Sequence, residues 1–184
     1  MSYILELIIV TTGVLIALFL SNLKENNQAQ NYHKASIEML NKEVEANYVK
    51  LKRVYNKHLI LNDTLMKYRD TSTVIGEIIL GKSNGLQVAE LSNAGLDLYK
   101  INQINLIDFE MISKLYEIDF SSKLLDTKTN ALIDFMYKNI LDNSKNNKLI
   151  FLLHIQNVLD SERHLMKLYK DYIDKNIDIK DTEK

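Results

Sequence analysis

Four histidines and one glycine-containing stretch are the residues of this chain whose types and spacing invite a chemical interpretation. The histidines are His33, His58, His154 and His164. None belongs to an H-E-x-x-H array or to another spacing typical of zinc sites, and the E-x-x-H pair of a di-iron bundle does not occur. The sequence therefore predicts no metal site, and His154, which lies in an apolar run, is interpreted as a packed core residue.

The phosphate-binding pattern G-x-x-x-x-G-K-S is matched by residues 76–83, which read GEIILGKS. That chemistry requires a buried strand before the loop and a helix that starts at the Lys-Ser pair, so that backbone amides can surround phosphate. Here the preceding residues 68–75 read as a helix end and a polar turn, and Asn84-Gly85 would stop a following helix. We interpret the match as coincidence and expect a short helix over 74–80.

Composition narrows the classes of function further. The chain has no cysteine, which excludes disulfides, thiolate catalysis and Cys-ligated zinc. It carries 23 basic and 24 acidic residues without a basic stripe, so nucleic acid is not an expected partner. We predict that the protein is not an enzyme and has no catalytic residue, cofactor or metal.

The element that organises the chain is the apolar segment 3–23, in which Glu6 is the only charged residue. As a helix these 21 positions would span roughly the 30 Å of a bilayer's hydrocarbon core. Residues 1–5 contain no Lys or Arg and no small-x-small cleavage site follows, which favours an uncleaved signal anchor over a signal peptide. A buried core helix is the alternative, because the uncharged run 7–20 has only 14 residues.

Within the anchor, Gly13, Ala17 and Ser21 recur every four residues. This spacing places small side chains on one helix face, the arrangement that lets two transmembrane helices approach closely. We predict a transmembrane association face here; the alternative is a small-residue face that simply contacts lipid.

The rest of the chain is expected to be helical, because it lacks proline and four of its five glycines fall between residues 76 and 95. A seven-residue apolar period follows the anchor, interrupted by Asn47 and His58. Its predicted seam consists of Ile37, Leu40, Val44, Leu51, Val54 and Leu65. The seam could form a parallel coiled coil with another copy, or pack in a bundle within the chain, which we favour.

The predicted fold class is all-α: an N-terminal transmembrane helix continuing into a long helix that packs in an antiparallel helical bundle. The middle window 70–104 is expected to hold a turn and two short helices. The later expectations are a helix from Leu106 capped by Asn105, a polar turn, and a last helix. The two short helices are expected over 74–80 and 86–91, and the second should end over 92–95. A break in the helix from Leu106 is expected near 119–122 or 126–129. The polar turn is expected over 142–147 and the last helix over 148–174.

The predicted domains are a transmembrane anchor, 3–23, a helical soluble domain, 24–175, and a frayed tail, 176–184.

The anchor and the residues that follow it resemble an uncharacterised family of single-span membrane proteins from Gram-negative bacteria. Members of that family begin with a segment of the type G-E-I-x-L-V-V-I-G-I-L-I-A-L-x-I-N-N-W-N-E. The matching residues are Leu5–Val10, Gly13–Leu18 and Ser21–Glu25, with Ser21 and Leu23 in place of an Asn and the Trp. Residues 91–98, LSNAGLDL, are similar to a second family stretch, S-S-G-x-L-x-L-I. The resemblance implies an inner-membrane anchor with a periplasmic helical domain, and no particular activity.

The leading functional hypothesis is therefore a membrane-anchored helical protein that acts by protein–protein interaction or scaffolding. Its partners would be the membrane and either its own copies or another membrane or periplasmic protein. The alternative is a ligand-sensing helical domain on a single anchor, with a pocket near 70–104. The third hypothesis, a phosphate-dependent enzyme or hydrolase, rests only on the GEIILGKS match.

Overall fold

The computed structural model describes residues 2–97 and 109–177. Three long helices account for most of them: α1 (Ser2–Tyr68), α2 (Phe109–Asn139) and α3 (Lys145–Asn176), with a π-helix, Glu77–Lys82, between the first two. The described residues contain no strand. The predicted all-α class, with a long apolar N-terminal helix and helices packed against each other, is confirmed.

The chain divides into two compact units, residues 1–39 and residues 40–184. In the first unit, α1 contains an 18-residue window with a mean hydropathy of 2.4, and none of that window is buried. Thr11 donates its hydroxyl hydrogen to the Leu7 carbonyl at 2.7 Å, so this polar side chain is satisfied within the helix. The segment is thus long and apolar enough to cross a membrane, as predicted.

The second unit is a helical bundle in which α3 packs against both α2 and the remainder of α1. The Tyr172 hydroxyl donates to the Asn41 side chain at 2.9 Å, and Tyr55 contacts Arg163. As the residue number increases along α1, the number of the contacted residue on α3 decreases, so the two helices are antiparallel. The fully buried apolar side chains of this unit include Leu51, Leu61, Leu65, Ile78, Leu132, Phe151, Ile155 and Leu165.

A buried lysine closes the carboxyl end of α1. Lys148 has no exposed surface, and its ammonium group donates to the carbonyls of Tyr68, at 3.3 Å, and Thr71, at 2.6 Å. The Tyr68 carbonyl also accepts from the amide and the hydroxyl of Thr71, at 3.3 and 2.8 Å, and a cation is favoured beside the carbonyls at a helix C-terminus. One side chain of α3 therefore donates hydrogen bonds both to the last residue of α1 and to the connection that follows it.

The connection is held to the α2–α3 turn by backbone contacts. The Gly76 amide donates to the Ile140 carbonyl at 2.7 Å, and the Ile75 amide donates to Asp142 at 2.9 Å. A Cβ atom on Gly76 would lie 2.9 Å from the Ile140 oxygen, so only glycine allows this approach. The π-helix then ends in the predicted turn at residues 84–85, where φ is 62° at the asparagine and 86° at the glycine.

Several predicted boundaries are wrong. Residues 86–91 are not a helix and have no regular secondary structure, while 94–97 begin a helical turn instead of ending one. Helix α3 starts at Lys145, inside the predicted polar turn, because Ser144 serves as its N-cap and accepts from the Asn147 amide at 3.3 Å.

The break expected near 119–122 or 126–129 is also wrong, since α2 is continuous from Phe109 to Asn139. Its polar residues bond within the helix instead of interrupting it: Lys123 pairs with Asp119 at 2.9 Å, and the Thr127 hydroxyl donates to the Lys123 carbonyl. The helix start expected at Asn105, and residues 178–184 of the predicted tail, lie outside the described residues.

Candidate functional site: polar side chains of α1 that hold an extended segment

Asn47 and His58, the two residues that interrupt the apolar seam of α1, are both buried, with exposed fractions of 2% and 1%. Asn47 follows Glu43 by one helical turn, and His58 lies three turns further along the same face. All three bind the chain between residues 87 and 96. We call residues 86–92 the extended segment.

Asn47 binds the backbone of one residue of the extended segment from both sides. Its side-chain oxygen accepts from the Ser92 amide at 3.0 Å, and its side-chain nitrogen donates to the Ser92 carbonyl at 2.7 Å. This is the exchange that a residue makes with its partner in a hydrogen-bonded strand pair. A buried side-chain amide therefore takes the place of a neighbouring strand.

Glu43 anchors the end of the segment. Its carboxylate accepts hydrogen bonds from the Ser92 hydroxyl and the Gly95 amide, both at 2.8 Å, and from the Leu96 amide at 3.2 Å. These amides open the helical turn over 94–97, where a negative charge is stabilised by unpaired N–H groups. In the middle of the segment, Lys50 donates to the Glu90 carbonyl at 3.2 Å.

The spacing of these contacts shows that the segment is fully extended. His58 contacts Gln87 and Asn47 contacts Ser92, so eleven residues of α1, about 16 Å of helix, are matched by five residues of the segment. The segment therefore advances roughly 3.3 Å per residue, which is an extended conformation. It runs antiparallel to α1 without regular secondary structure.

His58 joins the segment to α3. Its Nε2 atom lies 2.7 Å from the Gln87 carbonyl, which can only accept, so Nε2 carries a hydrogen. Its Nδ1 atom lies 2.9 Å from Oε1 of Glu162, and both side chains are 2% exposed. One proton is shared along that contact, either as imidazolium with carboxylate or as two neutral groups, and the pair is neutral overall in both cases.

This arrangement suits a structural link better than acid–base chemistry or metal binding. Both ring nitrogens of His58 are occupied, so neither is open to a substrate or an ion. The second oxygen of Glu162 is buried and has no hydrogen-bond partner among the described residues, which makes the pair sensitive to losing the histidine.

Tyr169 of α3 lies beneath the same face of α1. Its ring is buried, and burial raises the pKa of its phenol well above the ordinary value. The hydroxyl lies beside Asn47, whose oxygen and nitrogen already bond Ser92, and it makes no hydrogen bond of good geometry within the described residues.

The phosphate-loop letters fall on a helical segment. Residues 75–82 are helical, so there is no strand-to-loop transition before Lys82, and the Ser83 hydroxyl donates to the carbonyls of Ile78 and Ile79 at 3.1 and 2.8 Å. Residues 81–85, GKSNG, also match the letters of the G-x-S-x-G nucleophile elbow. Ser83 is buried and closes the end of the π-helix, which is not the exposed turn that either motif needs.

The predicted association face lies on the exposed helix of the first unit. A Cβ atom on Gly13 would meet no atom within 4 Å, and the Ser21 hydroxyl donates to Glu25 at 3.3 Å. Of the predicted seam, Ile37 is half-buried, and the other five residues are buried: Leu40, Val44, Leu51, Val54 and Leu65.

His154 and His164 do not belong to this site. His154 packs against Phe135 with ring centroids 5.2 Å apart, and His164 lies on the exposed side of α3. Within residues 2–97 and 109–177, no group of three or more His, Cys, Asp or Glu residues could hold a metal ion.

An open groove of about 300 Å³ lies between α1 and α3, with Tyr48 and Tyr55 in its wall and Lys52, Lys167 and Lys170 around it. None of its lining residues belongs to the window 70–104 in which a ligand pocket was expected. Within the described part of that window, 70–97, residues 87–96 are bonded to side chains of α1 instead.

Comparison with known proteins identified no relative: no protein-family model matches the chain, and no curated protein or solved structure was found to be similar to it.

Proposed function

We propose that this protein is a membrane-anchored helical scaffold that acts by binding other proteins or its own copies. The observation that carries the proposal is the apolar N-terminal part of α1, which contains an 18-residue window with a mean hydropathy of 2.4, none of it buried. In water such a surface is unfavourable by about 25 cal/mol for each Å² exposed, and a bilayer removes that penalty.

The proposed location is the inner membrane, crossed once by an uncleaved signal anchor, with residues 40–177 in the periplasm. The resemblance of the anchor to single-span proteins of Gram-negative bacteria supports this location. A compartment-sensitive reporter fused to the C-terminus tests the orientation, and activity only in the cytoplasm would contradict it.

Binding by contact is supported by large apolar side chains on the outer side of α2. Phe109, Tyr116 and Phe120 are 83%, 51% and 70% exposed, and their spacing of seven and four residues places them on one helix face. Aromatic residues are enriched at the centres of protein interfaces.

The anchor is tested by fractionation of full-length protein. Leu15→Arg together with Phe19→Arg adds about 5–7 kcal/mol to the cost of insertion and should move protein from the membrane to the aqueous fraction. The matched control, Leu80→Arg with Leu141→Arg, places the same charges at exposed positions of the second unit and should stay in the membrane. Wild-type protein in the aqueous fraction without detergent would refute the anchor.

Interaction is tested by crosslinking in intact membranes. A scaffold should yield higher-mass species that contain a second copy or another membrane protein. A monomer with no co-purifying protein would contradict the proposal.

The alternative function, a ligand-sensing domain on the anchor, is favoured by the groove between α1 and α3. Its volume lies at the lower end of ligand pockets, and its two tyrosines and three lysines suit a small anion with an apolar body. Thermal stabilisation by such anions, lost in Lys52→Ala with Lys167→Ala, would support it.

A further inference from the structure

The groove between α1 and α3 has an unbalanced positive charge. Lys52 of α1 and Lys167 and Lys170 of α3 line it. Among the described residues, no acidic side chain lines the groove and none of the three lysines forms an ion pair. The whole chain has 23 basic and 24 acidic residues, so this excess comes from the fold and not from the composition.

The nearest acids along α3 do not neutralise the two lysines of that helix. Asp171 and Asp174 follow Lys167 and Lys170 by four residues, a spacing at which opposite charges on a helix can meet. Neither pair forms an ion pair, and both lysines line the groove instead. Like charges around a groove repel each other, and an anion placed among them relieves that repulsion.

The groove also has an apolar wall. Tyr48 and Tyr55, seven residues apart, lie on one face of α1, and Met166 lines the groove from α3. The Lys52 ammonium lies 5.9 Å from the centroid of the Tyr48 ring, and the Arg163 guanidinium donates to the Tyr55 hydroxyl at 3.3 Å. The groove therefore presents cations and aromatic surface together.

We propose that this groove binds an acidic segment of a partner protein, with carboxylates against the lysines and an apolar side chain against the two tyrosines. The proposal rests on the scaffold function above and names the chemistry of one partner. Charge complementarity decides the sign of that partner. The open side of the groove favours a chain segment over a small ligand, because ligand pockets enclose most of the surface of the molecule that they bind.

Binding is tested with full-length protein in nonionic detergent micelles and a fluorescein-labelled copolymer of glutamate and tyrosine, which is an acidic chain with apolar side chains. Fluorescence anisotropy should show saturable binding that weakens as salt is added. Polyglutamate should bind about tenfold more weakly, because it has no apolar side chain to bury. A copolymer of lysine and tyrosine should not bind.

Matched variants separate the groove from the overall charge. Lys52→Glu with Lys167→Glu reverses two charges in the groove and should weaken binding of the glutamate–tyrosine copolymer by about tenfold or more. The control, Lys42→Glu with Lys138→Glu, makes the same change in net charge at exposed positions outside the groove and should bind like wild type. All four positions are exposed, so the thermal unfolding midpoint of both variants should stay near that of wild type.

Equal binding by wild type and the groove variant would overturn the proposal. So would displacement of the copolymer by millimolar benzoate beyond the effect of the same concentration of chloride, since the groove would then be a site for small anions. If either result is found while crosslinking in membranes still captures a partner protein, the groove assignment fails and the scaffold function stands. The scaffold function fails separately, if crosslinking captures neither a second copy nor another protein.

Discussion

Replacing His58 by leucine should be among the most damaging single changes in the bundle. It removes the hydrogen-bond partner of the buried Glu162 carboxyl and leaves the Gln87 carbonyl without its donor. By the heptad pattern alone the same change completes an apolar seam and should stabilise the helix. The two lines of reasoning therefore predict opposite signs.

The expected magnitude follows from the burial of both side chains at 2% exposure. Removing one partner of a buried ion pair costs about 3–5 kcal/mol, and leaving a buried neutral acceptor unpaired costs about 1–3 kcal/mol. We expect His58→Leu to lower the free energy of unfolding by about 3 kcal/mol or more. Glu162→Gln should cost about 1 kcal/mol, because its amide can donate to Nδ1 of a neutral His58.

The double variant His58→Leu with Glu162→Leu removes both polar partners at once. Its loss of stability should be smaller than that of His58→Leu alone, because no buried carboxyl remains, and the two sites should be coupled by about 2 kcal/mol or more. What remains is the lost bond to Gln87, worth about 1 kcal/mol.

The assay is urea unfolding of full-length protein in detergent micelles, followed by far-ultraviolet circular dichroism. The anchor stays helical in the micelle, so the transition reports the bundle. A cost below about 1 kcal/mol for His58→Leu, or strictly additive effects in the double variant, would refute the structural role assigned to the pair.

Three further changes test other contacts, each by unfolding of the same full-length protein. Gly76→Ala should cost about 1–3 kcal/mol because its Cβ would press on the Ile140 carbonyl; Gly81→Ala, whose Cβ meets only Glu77 at 3.7 Å, is the control and should be neutral or stabilising. Hydrogen bonds from Ser144 hold the pKa of Asp142 below its usual range, so this carboxylate stabilises the fold above about pH 4 and the effect is lost as the pH falls through the lowered pKa. Asp142→Asn should therefore be less stable than wild type at neutral pH, with the difference closing in acid, and a difference constant with pH would contradict this. Burial raises the pKa of Tyr169, so its contribution is intact below about pH 10 and lost as the pH rises further; Tyr169→Phe should match wild type at neutral pH and be the more stable protein in alkali, and equal alkaline unfolding curves would argue against it.

The sequence indicates some residues of the candidate site but not the residues that they bind. Asn47 and His58 stood out because they break an apolar period, and the sequence offered two interpretations for them, register in a coiled coil or a polar edge of a bundle. Their partners, Ser92, Gln87 and Glu162, lie 29 to 104 residues away along the chain. No local pattern encodes such distances, and so the site required the folded chain.

Residues 86–91 show why the local structure was mispredicted. Their sequence, LQVAEL, has good helix formers and no breaker, so propensity favours a short helix. His58 and Lys50 bind the carbonyls of Gln87 and Glu90, and Asn47 holds the adjoining Ser92, so the chain is extended instead. Such tertiary contacts outweigh propensities of a few tenths of a kcal/mol per residue.

The sequence by itself determined the apolar anchor, the helical class and the turn at Asn84-Gly85, because each depends on residues that are neighbours in the chain: a charge-free run, the absence of proline, a pair that tolerates positive φ. Only the tertiary structure decided what the polar positions of α1 bind, that Lys148 bonds the end of α1, and that residues 86–92 lie extended along α1. These features depend on which distant backbone groups meet a given side chain, and hydrogen bonding across the core is settled only when the helices pack.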